Sequence, residues 1–198
     1  ALAQANTEVI NYGIDAVDKQ GLTDSSGTHH KVDVIIYGTG FKVSDPIGPM
    51  QIIGKGSEEI RDTWDETGME AYLGISVSGF PNFFMLLGPN TGLGHTSIVF
   101  MIECQVKYIL QCMALLREEG ADYLDVKPKA QEAFNANVQR RLQGTTWPSG
   151  CTSWYQQDDG KNFALWPGST WRYWLETRNV RSTDYDFVCA DAEATVEA

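Results

Sequence analysis

Residues 88–97, GPNTGLGHTS, constrain the fold of this 198-residue chain more than any other segment. The segment contains three glycines and one proline, follows the apolar run FFMLL, and precedes a long apolar stretch that begins near Ile98. Glycine loses the most backbone freedom on folding, so a glycine-rich loop is expected where backbone must approach another group closely. The sequence therefore predicts a strand that ends at Leu87, a loop, and a helix that begins near Ser97.

Two helices are predicted with clear boundaries. Over residues 97–119, apolar residues recur at intervals of three and four, which is typical of one face of a helix. Thr96 or Ser97 can cap the start of this helix, and Gly120 stands just after its end, where glycine is common. A second helix is predicted over residues 128–144, because a proline at its start and a glycine at its end flank an apolar stripe.

The strand predictions depend on short apolar runs. Residues 7–37 combine partial alternation with turn residues, which favours short strands joined by turns. Within them, VDVIIY at residues 32–37 is typical of a strand buried on both faces of a parallel sheet. Residues 72–77 and 82–88 are also predicted strands, whereas residues 42–70 are predicted to be loop.

Composition limits the partners of the chain. Fifteen Lys and Arg against 26 Asp and Glu give a net charge of −11, which disfavours nucleic acid or an anionic membrane as a partner. The four cysteines are widely spaced and only three histidines are present, so no metal site is predicted. Reduced thiols in a cytoplasmic protein are the simplest interpretation. Glu103 and Lys107 interrupt the apolar stretch after Ile98, so no membrane span is expected.

The position of the loop at residues 88–97 suggests its chemistry. Amide N–H groups in the first turn of a helix lack partners within the helix, and with the helix dipole they favour negative charge. A phosphate group or the edge of a reduced flavin ring would suit such a site. The segment lacks the Gly-Lys-Ser/Thr ending of a P-loop, and it matches G-x-G-x-x-G only in part, with Ser97 in the third glycine position. A plain loop with a helix cap is the alternative.

Three segments carry a resemblance to a known family. VDVIIYGTGF, at residues 32–41, resembles the D-x-(I/V)-(I/V)-x-A-T-G-(F/Y) segment of flavin-dependent monooxygenases of the Baeyer–Villiger and flavin-containing classes. Residues 79–105 resemble the C-terminal flavin-domain segment of Baeyer–Villiger monooxygenases, in which G-P-N-T-G-L-G-H-x-S is almost unchanged. GCTSWY, GKN and LWPGS resemble the tail of the same family. The resemblance covers about residues 7–185.

The resemblance implies an α/β fold, namely the C-terminal part of the FAD/NAD(P)-binding, Rossmann-like fold with two dinucleotide-binding domains. Residues 1–37 would end the NADPH-binding domain, and residues 38–198 would form the C-terminal half of the FAD-binding domain. Gly38 departs from the usual alanine of the family. The glycine fingerprints for both dinucleotides are missing, as are the F-x-G-x-x-x-H signature and the arginine that supports the peroxyflavin. We therefore expect a C-terminal fragment that is inactive alone and poorly soluble.

The activity implied by the resemblance uses FAD, NADPH and O₂. Oxygen would be inserted into a ketone to give an ester or lactone through a C4a-peroxyflavin. The expected partners are the ketone and the missing N-terminal part of the same protein. Two alternatives remain open: a flavin monooxygenase that oxygenates nitrogen or sulfur, and a catalytically silent remnant that binds a partner through its tryptophan-rich tail.

The resemblance also implies site residues. The residues expected to contact FAD are Thr39, Gly40, Asn90, Thr91, Gly92, Ser97 and Ile98. Trp154 would contact NADP, with a packing tryptophan as the alternative. The residues expected to border the substrate are Leu93, Gly94, His95 and Thr96. No catalytic residue is assigned; His95 is a candidate acid or base, and a loop histidine that hydrogen-bonds backbone is the favoured alternative. The remaining tryptophans after Gly144 are expected to serve packing.

Overall fold

The computed structural model describes residues 2–39, 47–147, 155–156 and 160–189. The chain divides into two compact units, Ala1–Phe41 and Lys42–Ala198, which are called the first and second units below. This division lies near the boundary expected after residue 37. The assignment of the units to an NADPH-binding and an FAD-binding domain stays a prediction.

The first unit contains a three-stranded antiparallel sheet. Its strands are β1 (Ile14–Val17), β2 (Gly21–Asp24) and β3 (His29–Lys31), and they pair in the order β1–β2–β3. A register irregularity interrupts the pairing of β1 with β2. The prediction of short strands joined by turns is therefore confirmed for this part of the chain. His29 and His30 belong to β3.

Asp24 organises the turn between β2 and β3. One oxygen of its carboxylate accepts the backbone N–H groups of Ser26, at 2.9 Å, and Thr28, at 3.1 Å. The other oxygen lies 2.7 Å from Nε2 of His30. Hydrogen bonding from the Ser26 hydroxyl and then from the His30 ring holds the pKa of Asp24 well below its usual value. The charged carboxylate thus stabilises the folded turn.

Asp24→Asn is expected to loosen this turn at neutral pH, because a neutral amide oxygen accepts weaker hydrogen bonds than a carboxylate. The pKa of Asp24 is lowered by folding, so its stabilising contribution is present above the unfolded pKa of about 4 and is lost as the pH falls toward the folded pKa. Hydrogen exchange of the Thr28 amide should be faster in the variant at pH 7, and the difference should shrink in acid. Equal exchange rates at pH 7 would contradict the assignment.

Residues 32–37 do not form the predicted strand. Their backbone is irregular, and the side chains of Val34, Ile36 and Tyr37 are exposed. A buried parallel strand needs a parallel neighbour and cover on both faces of the sheet. The described part of the first unit offers only the antiparallel sheet β1–β3, so this apolar run has no parallel partner there.

The second unit contains four α-helices and a two-stranded sheet among its described residues. They are α1 (Ile60–Thr67), α2 (Ile98–Glu119), β4 (Tyr123–Val126), α3 (Pro128–Gln143), α4 (Thr170–Thr177) and β5 (Tyr185–Val188). Strands β4 and β5 are antiparallel. The two helix predictions are confirmed by α2 and α3. The hydroxyl of Ser97 caps α2 by accepting the Phe100 amide, and Gly120 ends it in the left-handed conformation.

The predicted strands at residues 72–77 and 82–88 are wrong. Leu73 and Gly74 both have positive φ, so residues 72–76 form a tight turn closed by the Tyr72 amide on the Ser76 carbonyl at 2.8 Å. Asn82 and Leu87 are also left-handed, which interrupts an extended chain at both ends of the second run. Residues 71–77 are nevertheless buried, so their apolar pattern indicates burial rather than strand conformation.

Four elements were missed by the sequence predictions. Helix α1 lies in the region predicted to be loop, where Ile60 and Trp64 are buried one helical turn apart. Helix α4 lies in the tryptophan-rich stretch, and its start is capped by the Ser169 hydroxyl. Strands β4 and β5 are each only four residues long, and they are far apart in the sequence. Short elements of this kind depend on tertiary packing more than on local pattern.

Helix α2 is long and apolar enough to cross a membrane, which makes it unique among the helices of the described ranges. The sequence analysis treated Glu103 and Lys107 as interruptions that leave no stretch long and apolar enough for a membrane span. By length and composition alone, that expectation is wrong. Helices buried in protein cores have the same properties. One face of α2 is buried, and the helix packs against α4 and β4.

Asp125 in β4 connects the small sheet to Gly79 and Lys55, which precede α2 in the sequence. Its carboxylate accepts the Gly79 amide at 3.0 Å and lies 3.7 Å from the ammonium of Lys55. Burial raises the pKa of Asp125 above its usual value, and this effect outweighs the Gly79 hydrogen bond and the attraction of Lys55.

Asp125→Asn is expected to unfold at a urea concentration equal to or higher than that of the wild type at pH 7, because the amide keeps an acceptor for Gly79 and removes a buried charge. A pKa raised by folding means that the wild-type side chain opposes folding at neutral pH and does so less as the pH falls. The difference in urea midpoint between Asp125→Asn and the wild type should therefore diminish toward pH 4. A lower urea midpoint for the variant at pH 7 would show that the Lys55 ion pair dominates instead.

Candidate functional site

An apolar groove of about 620 Å³ lies where the loop at residues 88–92 meets the start of α2. The residues that line it are Ile47, Met50, Ile52, Trp64, Met69, Phe83, Phe84, Met85, Leu86, Leu87, Gly88, Pro89, Gly92, Ile98, Phe163 and Ala164. None of them carries a charge. The size and the apolar walls are those of a site for a small organic molecule or a cofactor ring.

One wall of the groove comes from the segment at residues 163–166. The amide of Asn90 donates to the Phe163 carbonyl at 2.6 Å, and the amide of Gly92 donates to the Ala164 carbonyl at 2.8 Å. The Trp166 amide returns a hydrogen bond to the Gly92 carbonyl at 2.9 Å. Residues 90–92 therefore lie beside this late segment as a short parallel pair.

The side chain of Asn90 holds the two segments together. It is fully buried, and its Nδ2 donates to the carbonyls of Asn162, at 2.8 Å, and Leu165, at 3.1 Å. Its φ of 59° is left-handed, a conformation that asparagine tolerates better than most residues. The hydroxyl of Thr91, also fully buried, donates to the Gly88 carbonyl at 2.6 Å. The donors of both side chains thus bind backbone carbonyls, whereas the Oδ1 of Asn90 is buried and has no hydrogen-bond partner among the described residues.

The glycines of the loop allow close approach to other parts of the chain. A Cβ on Gly88 would lie 2.5 Å from the carbonyl oxygen of Gly74, and a Cβ on Gly92 would lie 2.7 Å from that of Ala164. Cβ atoms do not approach backbone so closely. The close approach expected from the sequence therefore exists, and its partner here is neighbouring backbone.

The start of α2 offers unpaired hydrogen-bond donors beside the groove. The Ser97 hydroxyl accepts a hydrogen bond from the Phe100 amide at 3.3 Å. The amides of Ile98 and Val99 have no acceptor among the described residues. Ile98 itself lines the groove. The helix dipole adds partial positive charge at this end. An apolar wall next to free amides fits a flat aromatic ring that becomes negative along one edge.

The remaining expected site residues do not line this groove. Leu93 packs with an interior cluster that includes Met101, and Gly94, His95 and Thr96 are exposed. Nδ1 of His95 lies 3.1 Å from the hydroxyl of Thr96 rather than from backbone. Their role beside a substrate stays a prediction.

Two of the expected cofactor contacts, Gly40 and Trp154, lie outside the described residues, and Thr39 is an exposed residue of the first unit. The tryptophans expected to serve packing behave differently from one another: Trp166 is buried, whereas Trp171 is 62% exposed. In the described ranges no group of three or more His, Cys, Asp or Glu could hold a metal ion.

Gln105 positions the groove and was missed by the sequence analysis. This side chain is fully buried in α2, where its Oε1 accepts the Leu87 amide and its Nε2 donates to the Tyr173 hydroxyl, both at 3.0 Å. The Tyr173 hydroxyl in turn donates to the Leu73 carbonyl at 2.7 Å. A lone glutamine on the apolar face of a predicted helix was the available signal, because a buried amide requires partners.

The comparisons with known proteins agree with the sequence resemblance. No family model matches the chain. Over 187 residues the chain is 44% identical to a Baeyer–Villiger monooxygenase of Pseudomonas aeruginosa, which covers 93% of this chain and 35% of that protein. Over 200 residues it is 39% identical to a Baeyer–Villiger monooxygenase of Streptomyces coelicolor, which covers 100% of this chain and 38% of that protein.

Solved structures support the same relationship. The fold is similar to that of cyclohexanone monooxygenase from Rhodococcus sp. Phi1 bound to NADP+, with a TM-score of 0.78 and 25% identity, covering 95% of this chain and 37% of that one. It is also similar to OTEMO in complex with FAD and NADP, with a TM-score of 0.76, over 93% of this chain and 36% of that one; at 21% identity this second likeness concerns the fold alone. The expected α/β class is thereby confirmed. The chain belongs to the Baeyer–Villiger monooxygenase family, and it spans little more than a third of the length of the relatives it matches.

Proposed function

We propose that the full-length protein to which this chain belongs is an FAD- and NADPH-dependent monooxygenase that inserts one oxygen atom of O₂ into a ketone. The product would be an ester or a lactone. The observation that carries the proposal is the apolar groove bordered by Ile98 at the start of α2, whose amide has no acceptor among the described residues. The Baeyer–Villiger monooxygenases that are 39–44% identical to the chain support the reaction class.

The groove fits the ring of a flavin, on the evidence of its uncharged lining and its free amides. The backbone of residues 90–92 and the amide of Ile98 would hold the ring. When bound, the flavin would supply the redox chemistry, since it accepts hydride from NADPH and reacts with O₂. The amides of α2 would stabilise the negative charge of the reduced ring without any rearrangement of the protein.

The walls of the groove would keep water away from the reacting atoms. Phe83, Phe84 and Phe163 present aromatic surface to it, and no polar side chain lines it apart from the indole of Trp64, whose N–H donates to the Glu70 carbonyl at 3.0 Å. A dry site strengthens the electrostatic interactions within it and suppresses hydrolysis of reactive species.

The other expected roles belong to the same proposal. Trp154 would contact NADP, Thr39 and Gly40 would contact FAD through backbone, and residues 93–96 would border the ketone. Residues 1–37 would complete the NADPH-binding domain, and residues 38–198 the FAD-binding domain. A cytoplasmic location is proposed because the cysteines are widely spaced, and Cys104, Cys112 and Cys189 are free thiols, which persist in reducing compartments.

The decisive experiment is to purify the full-length protein with FAD and to measure NADPH oxidation in the presence of ketones, amines and thioethers. The proposal expects ketone-dependent oxidation and an ester or lactone product identified by mass spectrometry. Turnover of amines or thioethers without turnover of ketones would favour the N- or S-oxygenating alternative. Failure to bind FAD would favour the silent remnant.

Ile98→Pro tests the amide at the start of α2 directly. Proline is favoured at the first helical position, and the preceding Ser97 is extended, with φ −82° and ψ 117°, as a residue before proline prefers. The variant should fold but lose the N–H group, so we expect about tenfold slower ketone-dependent NADPH oxidation.

The matched control is Ile98→Ala, which shortens the same side chain and keeps the amide. Ile98→Ala should therefore keep most of the wild-type activity, whereas Ile98→Pro should lose it. Circular dichroism and thermal unfolding would establish that both variants are folded. Equal activity of the two variants would show that the amide makes no functional contact.

A further inference from the structure

Two leucines of the second unit have a left-handed backbone, with φ 56° at Leu73 and 57° at Leu87. The other described residues with positive φ, apart from glycines, are two asparagines and one serine. Asparagine tolerates this conformation, whereas leucine adopts it only at a cost in free energy. Backbone strain of this kind persists where the surrounding contacts impose it, and it is common at functional sites.

One chain of hydrogen bonds joins the two leucines. The carbonyl of Leu73 accepts the Tyr173 hydroxyl at 2.7 Å, and the oxygen of that hydroxyl accepts Nε2 of Gln105 at 3.0 Å. At the other end, Oε1 of Gln105 accepts the Leu87 amide at 3.0 Å. Tyr173 and Gln105, called the relay below, are both fully buried. Water cannot replace a lost partner there, so the relay fixes the backbone at both of its ends.

Both leucines support the same wall of the apolar groove. Leu87 lines the groove directly. Leu73 belongs to the turn at residues 72–76, where the Ile75 carbonyl accepts the amide of Met85 at 2.8 Å, and Met85 also lines the groove. A return of either leucine to ordinary extended backbone would therefore displace this wall.

We propose that Tyr173 and Gln105 are positioning residues, which hold Leu73 and Leu87 in the left-handed conformation and thereby fix the groove wall against the ring of the cofactor. Neither relay side chain lines the groove, so each acts through the backbone of the leucines. The inference rests on the proposed function for the identity of the cofactor. Burial raises the pKa of the Tyr173 hydroxyl above its usual value, so this group remains a hydrogen-bond donor in alkaline solution.

Hydrogen exchange in the full-length protein tests the relay without reference to the cofactor. Tyr173→Phe removes the hydroxyl that anchors Gln105, so the Leu87 amide should exchange at least about fivefold faster relative to the amides of α3. The matched control is Tyr108→Phe, which removes another fully buried hydroxyl, 3.2 Å from that of Tyr185. The control should leave the ratio unchanged. The same ratio in both variants would overturn the relay.

Retention of FAD connects the relay to the groove. The half-time for loss of FAD from the full-length holoprotein should fall about tenfold in Tyr173→Phe and less than about twofold in Tyr108→Phe. The visible absorption bands of the bound flavin should shift in Tyr173→Phe alone. Equal effects of the two variants would show that Tyr173 stabilises the fold without positioning the wall. If the wild-type protein retains no FAD, the proposed function fails, while hydrogen exchange still decides whether the relay holds Leu87.

A double-mutant cycle tests the strain at Leu87. Glycine adopts a φ of 57° without cost, so Leu87→Gly should depend less on the relay. Gln105→Leu should speed the loss of FAD about tenfold in the wild-type background and about threefold or less in the Leu87→Gly background. Leu86→Gly is the control background, because Leu86 also lines the groove but is not left-handed. A tenfold effect in both glycine backgrounds would show that Gln105 does not act through the left-handed leucine.

Discussion

Asn90→Asp is expected to destabilise the second unit by about 3–5 kcal/mol, because it places a carboxylate against two carbonyl oxygens in a site with no exposed surface. In the wild type, Nδ2 of Asn90 donates to the carbonyls of Asn162 and Leu165. The substitution has the same shape and removes both donors. A loss of this size is a large fraction of the total stability of a domain. Urea unfolding followed by tryptophan fluorescence would measure it.

Asn90→Gly provides the matched control. Glycine adopts the left-handed φ of 59° without strain but donates no side-chain hydrogen bond, so it isolates the loss of the two bonds. We expect a smaller loss of about 1–3 kcal/mol, since no charge is buried. If aspartate were tolerated as well as glycine, the amide would not be the group that joins residues 90–92 to residues 163–166.

Gly74→Ala is expected to cost about 2–5 kcal/mol, the sum of a left-handed alanine and an overpacked contact. Gly74 has φ +65°, and a Cβ there would lie 2.1 Å from Cγ2 of Thr91 and 2.8 Å from the Pro89 carbonyl oxygen. The loop that borders the groove would have to move away from the turn at residues 72–76. FAD retention by the full-length protein should fall together with the urea midpoint.

Gly56→Ala separates the two contributions. Gly56 has the same φ of +65°, and a Cβ there would meet nothing within 4 Å. This variant should therefore show only the conformational cost of about 1–2 kcal/mol and should keep its FAD. If the two alanine variants unfold at the same urea concentration, then the contact between the turn and the loop contributes little.

The sequence predicted the elements whose signals are local. Helices α2 and α3 carry a repeating apolar pattern together with Ser97, Gly120 and Pro128 at their ends, and such signals act within one or two turns. The strands predicted at residues 72–77 and 82–88 had the wrong conformation, and only the first of the two runs is buried. Gly74 and Asn82 are residue types that favour positive φ, but Leu73 and Leu87 are not, so the left-handed backbone at these two leucines could not be anticipated from the sequence.

The candidate site shows the same limit. The loop at residues 88–97 and its position before a helix were evident from the sequence, as was the possibility of a site for negative charge. The pairing of residues 90–92 with residues 163–166 was not, because it joins segments about 70 residues apart through backbone groups that every sequence possesses. Gln105 and Asn90 carry the specific information, and their partners are again backbone atoms of distant segments.

The wall formed by residues 163–166 has a consequence for the order in which the protein matures during synthesis. Residues 88–98 leave the ribosome long before Phe163 and Ala164. For much of translation, the groove in the nascent chain therefore lacks the wall that residues 163–166 form. We therefore expect a flavin to be retained only late in elongation, and a message truncated before the codon for Phe163 yields a polypeptide that has the glycine-rich loop but lacks the hydrogen bonds from Asn90 and Gly92 to residues 163–166.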